Sequence, residues 1–507
     1  MKIRTVGIKG FRGYSSPIEV EVGDLLVLVG KNDIGKSTVL EALDIFFNDG
    51  KGNVKLDKDD INKANLASGD DCVEIFVEFE ELPASIVIDA TNETTLADEH
   101  LLTSAGTLKV IKRYPKAGRE KVFISAHHPT AAGCKDLLLK KNANLKELLD
   151  DQGLECPDKT KNSELRKAIW SGQSDLELQD CEIEVAKIDA RNIWDQLKSY
   201  MPLYSLFQAD RKNSDGDSEV QDPMRLAVRE ILGDPTIQSE LAKVADTVKT
   251  RLDEVAAQTL TKLVELNPEI ASSLNPQIPD PASLKWTDVF KNVSIAGDEE
   301  IPINKRGSGV KRLILISFFR AEAERRQRET GLPSVVYAIE EPETSQHPEH
   351  QRALVSALLS LSEASGTQIV LTSHSPEIVK QLKFENLLLI AGQQPEDIRN
   401  VEESELPYPS LNEVNFSAFD ESSFEYHNEL YGFIEAEGKL GAFKSGQATM
   451  HYKKQNKDRS TTGLQIVLTE YIRHQIHHPE NEANPRFTEQ ELRQSIEAMR
   501  AFIQANP

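Results

Sequence analysis

The sequence has no apolar run approaching the roughly 20 residues that a membrane-spanning helix needs. Its start, MKIRTVGIKGFRGY, has neither an apolar core nor a small-residue cleavage site, so a secretory signal is not expected. Cysteine is scarce. Cys72, Cys134, Cys156 and Cys181 stand far apart with no CxxC pair. That argues against a disulfide framework or a cysteine-rich zinc site and makes a reducing cytoplasm the expected compartment. Positive charge is in deficit, with 59 Lys and Arg against 82 Asp and Glu, a net −23. A protein that coats DNA passively carries the opposite sign, because its affinity comes largely from displaced counterions. Contact with nucleic acid would need a local basic patch, an assembled channel or a partner.

What is present fits a globular α/β protein. The 507 residues are 39% hydrophobic and 28% charged, enough for about two to four folding units. Residues 2–9 and 18–23 alternate apolar and polar like a β-hairpin. DLLVLVG is a continuous apolar run, the mark of a strand buried on both faces. It enters GKNDIGKST, and STVLEALDIFF follows at helical spacing. From about 70 to 130 the alternation predicts an antiparallel sheet, and residues 131–185 read as a polar, helical insertion. LYSLF at 203–207 reads as a short strand before a polar loop. Residues 211–285 form a helical arm and linker, the arm reaching ~50 Å at ~1.5 Å per residue and reading as packed. Residues 286–398 alternate helix and strand, which predicts a parallel sheet with crossovers. Residues 399–421 read as acidic and irregular, and the rest of the tail to 507 as helical, with Thr488 and Glu491 as a capping box. Residues 1–210 and 286–398 are then expected to be two lobes of one α/β unit, and 399–507 a helical C-terminal domain.

Three strand ends carry chemistry. Gly30, Lys31, Asn32, Asp33, Ile34, Gly35, Lys36 and Ser37 match GxxxxGK[ST], followed by Thr38. The glycines let backbone N–H groups converge on phosphate oxygens at a helix start. Lys36 would reach the β/γ-phosphates and Ser37 would hold Mg²⁺. The alternative is a structural glycine turn. VVYAIEE ends in two carboxylates: Glu340 would serve Mg²⁺ and Glu341 would polarise the attacking water. The alternative is an acidic turn before Pro342. His374, in LTSHS, stands at a third strand end, placed to touch a γ-phosphate or to serve only the fold. Gly307, Ser308 and Gly309, after Arg306, precede a long helix and read as a second anion-binding helix start offered to another subunit, or as a plain loop.

These elements, in this order and split by a long insertion, resemble the ABC-type P-loop ATPases of the SMC, RecF and OLD group. The resemblance implies a split α/β ATPase head with an antiparallel subdomain, ATP and Mg²⁺ as ligands, and a homodimer or larger assembly that sandwiches ATP. IKGFRGY is similar to the group's first hairpin and places Arg12 near the nucleotide. RGSGVKR resembles a degenerate signature motif, in which Arg306 and Gly307 replace the usual Leu and Ser. EEPE followed by HP is similar to the OLD form of Walker B, and Gln208 resembles the Q-loop glutamine. After Ile390 there is no strand-end Glu with an Asp-x-Asp pair, so the Toprim nuclease of OLD proteins is not expected. The chain most resembles the PtuA-type ATPases of Septu anti-phage systems, with the AriA type of PARIS systems close behind. A Septu resemblance implies a separate HNH endonuclease partner of the PtuB type.

Two further features bear on function. Arg473 and His478 fit the R-x4-H pattern of HEPN-type ribonucleases, or a polar helix end. The basic segment 439–459 would bind nucleic acid, dock an acidic partner or simply be solvated. The functions expected are therefore an ATP-driven sensor and scaffold for a nuclease, an ATPase with its own tail ribonuclease, or a RecF-like DNA-repair ATPase.

Overall fold

The computed structural model describes residues 1–31, 35–49, 52–89, 92–185, 191–208, 227–266, 317–319, 321–322, 324–326, 328, 333–344, 348–390, 398–401, 410–456 and 460–506. Asn32, Asp33, Ile34, Gly307, Ser308 and Gly309 lie outside the described residues.

The chain starts with β1 (Lys2–Lys9), β2 (Ile18–Glu21), β3 (Leu25–Val29) and α1 (Lys36–Asn48). A short α2 (Lys63–Ala67) leads to β4 (Cys72–Glu80), a small hairpin of β5 (Ile86–Asp89) and β6 (Asn92–Thr94), then β7 (Leu108–Pro115) and β8 (Lys121–Pro129). Helices α3 (Asn142–Asp151) and α4 (Asn162–Ser171) precede β9 (Leu178–Glu184), α5 (Arg191–Ser199) and β10 (Leu203–Phe207). The arm is α6 (Pro235–Leu266). Then come β11 (Val335–Glu340), α7 (Pro348–Ser362), β12 (Thr367–Ser373), α8 (Pro376–Val379), β13 (Leu387–Ile390) and β14 (Ile398–Asn400). The C-terminal part holds α9 (Leu411–Phe419), α10 (Phe424–Ala436), α11 (Leu440–Lys444), β15 (Thr449–Gln455), β16 (Thr461–Val467), α12 (Leu468–His477) and α13 (Glu489–Ala505).

Two six-stranded sheets organise the first 400 residues. One is antiparallel, in the order β2-β1-β4-β7-β8-β9. The other runs β10-β11-β12-β3-β13-β14, parallel except for β14 at its edge. Alternation along β3 explains why its run is wholly apolar. Leu26 and Leu28 face the core shared with the antiparallel sheet and α1, while Leu25, Val27 and Val29 face the core shared with α7. Helix α1 is thus clamped between the sheets, with Val39, Leu40, Leu43, Ile45 and Phe46 buried. Its C-terminal end is held by Lys112 of β7, whose Nζ donates to Phe46 O at 2.7 Å.

Gly7 sits opposite Phe76 in the β1–β4 pairing, and a Cβ at Gly7 would meet that ring at 1.8 Å. Valine suits strands better than glycine, so Gly7→Val separates two effects. The ring clash is expected to win, costing about 1–3 kcal/mol and lowering the denaturation midpoint. A raised midpoint would show that the ring moves freely.

Four elements depart from the sequence reading. The insertion contains β9, whose polar residues alternate weakly because it is an exposed edge strand. The acidic stretch 399–421 contains α9, capped by the Ser410 side chain on Glu413 N. Val414 and Ala418, one turn apart, pack it on the ATPase core. The helical tail contains the β15–β16 hairpin, where solvent exposure leaves no apolar alternation to read. The arm was expected to pack, yet Val244, Val248 and Leu252 are about half exposed. Helical spacing marks such a stripe without saying what it faces.

Candidate functional site

Parallel pairing brings four strand ends together. Phe207 pairs with Ile339, Glu340 with Thr372, and Ser373 with Val29. Gln208, Glu340 and Glu341, His374 and Gly30 therefore leave neighbouring strands on one edge. Three strand spacings of ~4.8 Å place them within ~15 Å of one another across the sheet. Ligands of open α/β sheets bind at such carboxyl ends.

The glycine loop leads from β3 into α1. Gly35 precedes the helix at φ 100°, a conformation open to glycine and strained for other residues. Helix α1 has no side-chain cap and no acid in its first turn, so its leading N–H groups face the loop. Ser37 and Thr38 stand in that turn. The buried Lys36 amine donates to Gly30 O at 2.8 Å and Lys31 O at 2.6 Å. The Tyr14 hydroxyl donates to Gly35 O at 3.0 Å, tying the loop to the first hairpin. Lys31 pairs with Asp420 at 3.3 Å, and Asp420 pairs with Arg493 of α13 at 2.6 Å.

Arg12 does not stand alone. Its Nε pairs with Asp60 at 2.8 Å and its Nη1 with Glu41 of α1. Gln208 Nε2 donates to the other Glu41 oxygen at 3.4 Å. Burial pushes the Glu41 carboxyl up against the pull of Arg12, and the nearby charge of Glu340 adds to the push. Gln208 Oε1 is buried and has no hydrogen-bond partner among the described residues.

Glu341 follows β11 at φ 40°, in the left-handed region that a glutamate rarely occupies. Its N–H donates to Thr372 Oγ1 at 3.1 Å, which holds the strained residue at the strand end. Its Oε1 lies 3.4 Å from His374 Nδ1. Glu343 is buried beside the same ring nitrogen. Its Oε1 accepts from His374 N at 2.8 Å and Ser373 Oγ at 2.9 Å and lies 3.4 Å from His374 Nδ1. Burial pushes the Glu343 carboxyl above its ordinary range, against those hydrogen bonds.

Residues 1–379 match the family model described as an AAA ATPase domain. The chain belongs to this family. It is 23% identical over 414 residues to the endonuclease GajA of Bacillus cereus, covering 75% of this chain and 56% of that protein. It is 22% identical over 400 residues to the OLD nuclease of Thermus scotoductus, covering 76% of this chain and 62% of that protein. The chain thus spans somewhat over half the length of these relatives. Among solved structures it is similar to the SMC head domain from Thermotoga maritima, at 12% identity and TM-score 0.34, over 79% of this chain and 100% of that one. An SMC head bound to the C-winged helix domain of ScpA gives 12% identity and TM-score 0.39, over 80% and 99%. The fold is an ATPase domain of mixed α/β type, with an antiparallel sheet and helices.

Tyr14, Glu41, Thr372 and Glu343 were not singled out from the sequence. Glu343 carried a local signal as the third glutamate of EEPE, and Tyr14 and Thr372 lie within IKGFRGY and LTSHS, whereas Glu41 carried none. Among the described residues, no helix is long and apolar enough to cross a membrane, and no three His, Cys, Asp or Glu side chains converge as a metal cage. A P-loop magnesium ion does not need such a cage, since phosphates, water and one or two carboxylates suffice. The Gln208 oxygen, unpartnered among the described residues and on the strand next to that of Glu340, fits that donor set.

Arg473 and His478 sit far from this edge in sequence and are differently engaged. Arg473 lies 3.9 Å over the Tyr431 ring and pairs with Glu435 at 3.1 Å, fastening α12 to α10. His478 ends α12 and pairs with Glu480 at 3.2 Å. Nearby, burial drives the His427 pKa down to about 4, with Arg473 and His477 adding repulsion. His427 bonds Ser495 at 3.0 Å in the core of the C-terminal unit. A histidine depressed in the folded state stabilises above its ordinary pKa, and that stability is lost as pH falls towards 4. About 3 kcal/mol is at stake for a shift of this size. Unfolding midpoints between pH 7 and pH 4 should fall less steeply in His427→Gln than in the parent chain; parallel curves would contradict the assignment.

Proposed function

We propose that the clustered strand ends form an ATP-hydrolysing site whose state is passed to the C-terminal unit. The observation that carries this reading is the shared edge of the glycine loop, the Glu340–Glu341 pair, His374 and Gln208. Lys36 and the α1 N–H groups bind the phosphates. Ser37, Glu340 and Gln208 would hold Mg²⁺, which when bound would neutralise charge on the phosphates. Glu341 orients the attacking water and takes its proton. His374 would face the γ-phosphate, with its Nδ1 beside both Glu341 and Glu343. Gly307, Ser308 and Gly309 of a second copy close the site, so the active form is a homodimer or larger assembly.

Helix α9 supports the coupling. Val414 and Ala418 lie in the ATPase core, while Phe416 lies in the core of the C-terminal helices. Asn415 Nδ2 donates to Pro376 O at 3.5 Å, next to His374, and Asp420 ends the same helix on Lys31. One helix thus touches both the glycine loop and the segment after His374. We assign the chain as the ATPase subunit of an anti-phage defence complex, PtuA-like, governing a separate HNH-type nuclease through the C-terminal unit. The nuclease names of both relatives support a nuclease context.

A steady-state ATPase assay over a range of protein concentrations tests the site. Turnover per chain should rise with concentration as the second copy completes it, and should require Mg²⁺. Turnover per chain that stays constant upon dilution would contradict the shared site.

A further inference from the structure

From Lys439 to His478 the chain carries seven Lys and Arg against two acids, Asp458 and Glu470, and four of its 11 histidines. In a chain of net charge −23 this is a local reversal of sign. The β15–β16 hairpin lies in its middle. Its two seven-residue strands are each ~23 Å long at ~3.3 Å per residue. Tyr452, Ile466 and Val467 are buried, whereas His451, Lys453, Lys454, Gln455, Thr461 and Thr462 are exposed.

The ribbon is nonetheless rigidly built. Tyr452 stacks on His474 of α12 at 5.0 Å and meets Tyr471 edge-on at 5.8 Å. Its hydroxyl accepts from Asn481 at 3.0 Å. The outer edge of β15 is closed at Lys453: its N–H donates to Asn484 at 2.7 Å, and its carbonyl accepts from Asn481 and Asn484 at 2.9 Å each. A closed edge does not template another strand there. What the ribbon offers is its side chains. Alternation sends His451 and Lys453 to the face opposite Tyr452. Gly463, paired with Lys453, leaves that face thin, since a Cβ there would meet His451 Nε2 at 2.8 Å.

We propose that this ribbon binds duplex DNA, laying the His451–Lys453 face in the major groove with Lys454 on a flanking phosphate. A two-stranded ribbon fits the B-form major groove, about 12 Å wide, and not the narrow deep groove of A-form RNA. Exposed lysines on a rigid backbone, in an otherwise acidic protein, favour polyanion binding at this ribbon. The inference does not rest on the ATPase reading, because DNA binding is measured without nucleotide.

The test is fluorescence anisotropy of the full chain with a labelled DNA duplex three turns long, titrated from about 50 to 200 mM salt. Wild type should bind, with affinity falling as salt rises. The Lys453→Gln, Lys454→Gln double variant should bind at least tenfold more weakly, with a log–log salt slope shallower by about 1 for the lost Lys454–phosphate contact. Its melting midpoint and ATP turnover should match wild type, which separates lost contacts from lost fold. Absence of duplex binding at low salt, or an unchanged affinity in the double variant, overturns the proposal. So does equal affinity for an RNA duplex, or displacement of the DNA by polyglutamate at equal charge, which would mark the surface as a dock for an acidic protein.

Discussion

Glu341→Gln should keep ATP bound and slow its hydrolysis by about 10²–10⁴-fold, the range that a positioned general base contributes. The amide keeps the size of the carboxylate, so the strained turn at φ 40° and the bond from its N–H to Thr372 remain. It loses the ability to accept a proton. Glu340→Gln is the control, because that carboxylate borders Glu41 and the metal side of the cluster. It should raise the Mg²⁺ concentration needed for half-maximal rate. Single-turnover hydrolysis alongside equilibrium binding of a labelled ATP separates the two. A wild-type rate in Glu341→Gln would mean that another group positions the water.

Lys36→Ala should weaken ATP binding by about two orders of magnitude, as expected when a charge-assisted contact to phosphate is removed. Folding is affected as well. The amine now satisfies the carbonyls of Gly30 and Lys31, and leaving them unpaired costs about 1–3 kcal/mol. The ligand-free melting midpoint should therefore fall somewhat. The decisive readout is the further rise on adding ATP, which wild type shows and Lys36→Ala lacks. Equal ATP-induced shifts in the two proteins would remove Lys36 from the site.

The parts of the site legible in the sequence were those whose signal is local. The glycine loop is eight consecutive residues between an apolar run and a helix. The β11 and β12 runs end abruptly in Glu340 and in His374, so each strand announced its own polar end. The order of the strands was not written in any one segment. The first lobe's β3 lies between β12 and β13 of the second lobe, a pairing across more than three hundred residues of sequence. Tertiary packing alone delivers Glu41 to Arg12 and Gln208, and Tyr14 to Gly35. Helix α9 was hidden because an acidic stretch with one apolar turn looks irregular until Val414 and Ala418 meet the core. The β15–β16 hairpin was hidden because a solvated strand needs no alternation.

The central claim is that the glycine loop is half of a site that a second copy completes. Light scattering of Glu341→Gln, with and without ATP and Mg²⁺, tests it most directly, since slow hydrolysis preserves the ATP state. The mass should rise on adding ATP, and should not rise in the Lys36→Ala, Glu341→Gln double variant. The same mass with and without ATP, in a protein shown to have bound it, would contradict the account.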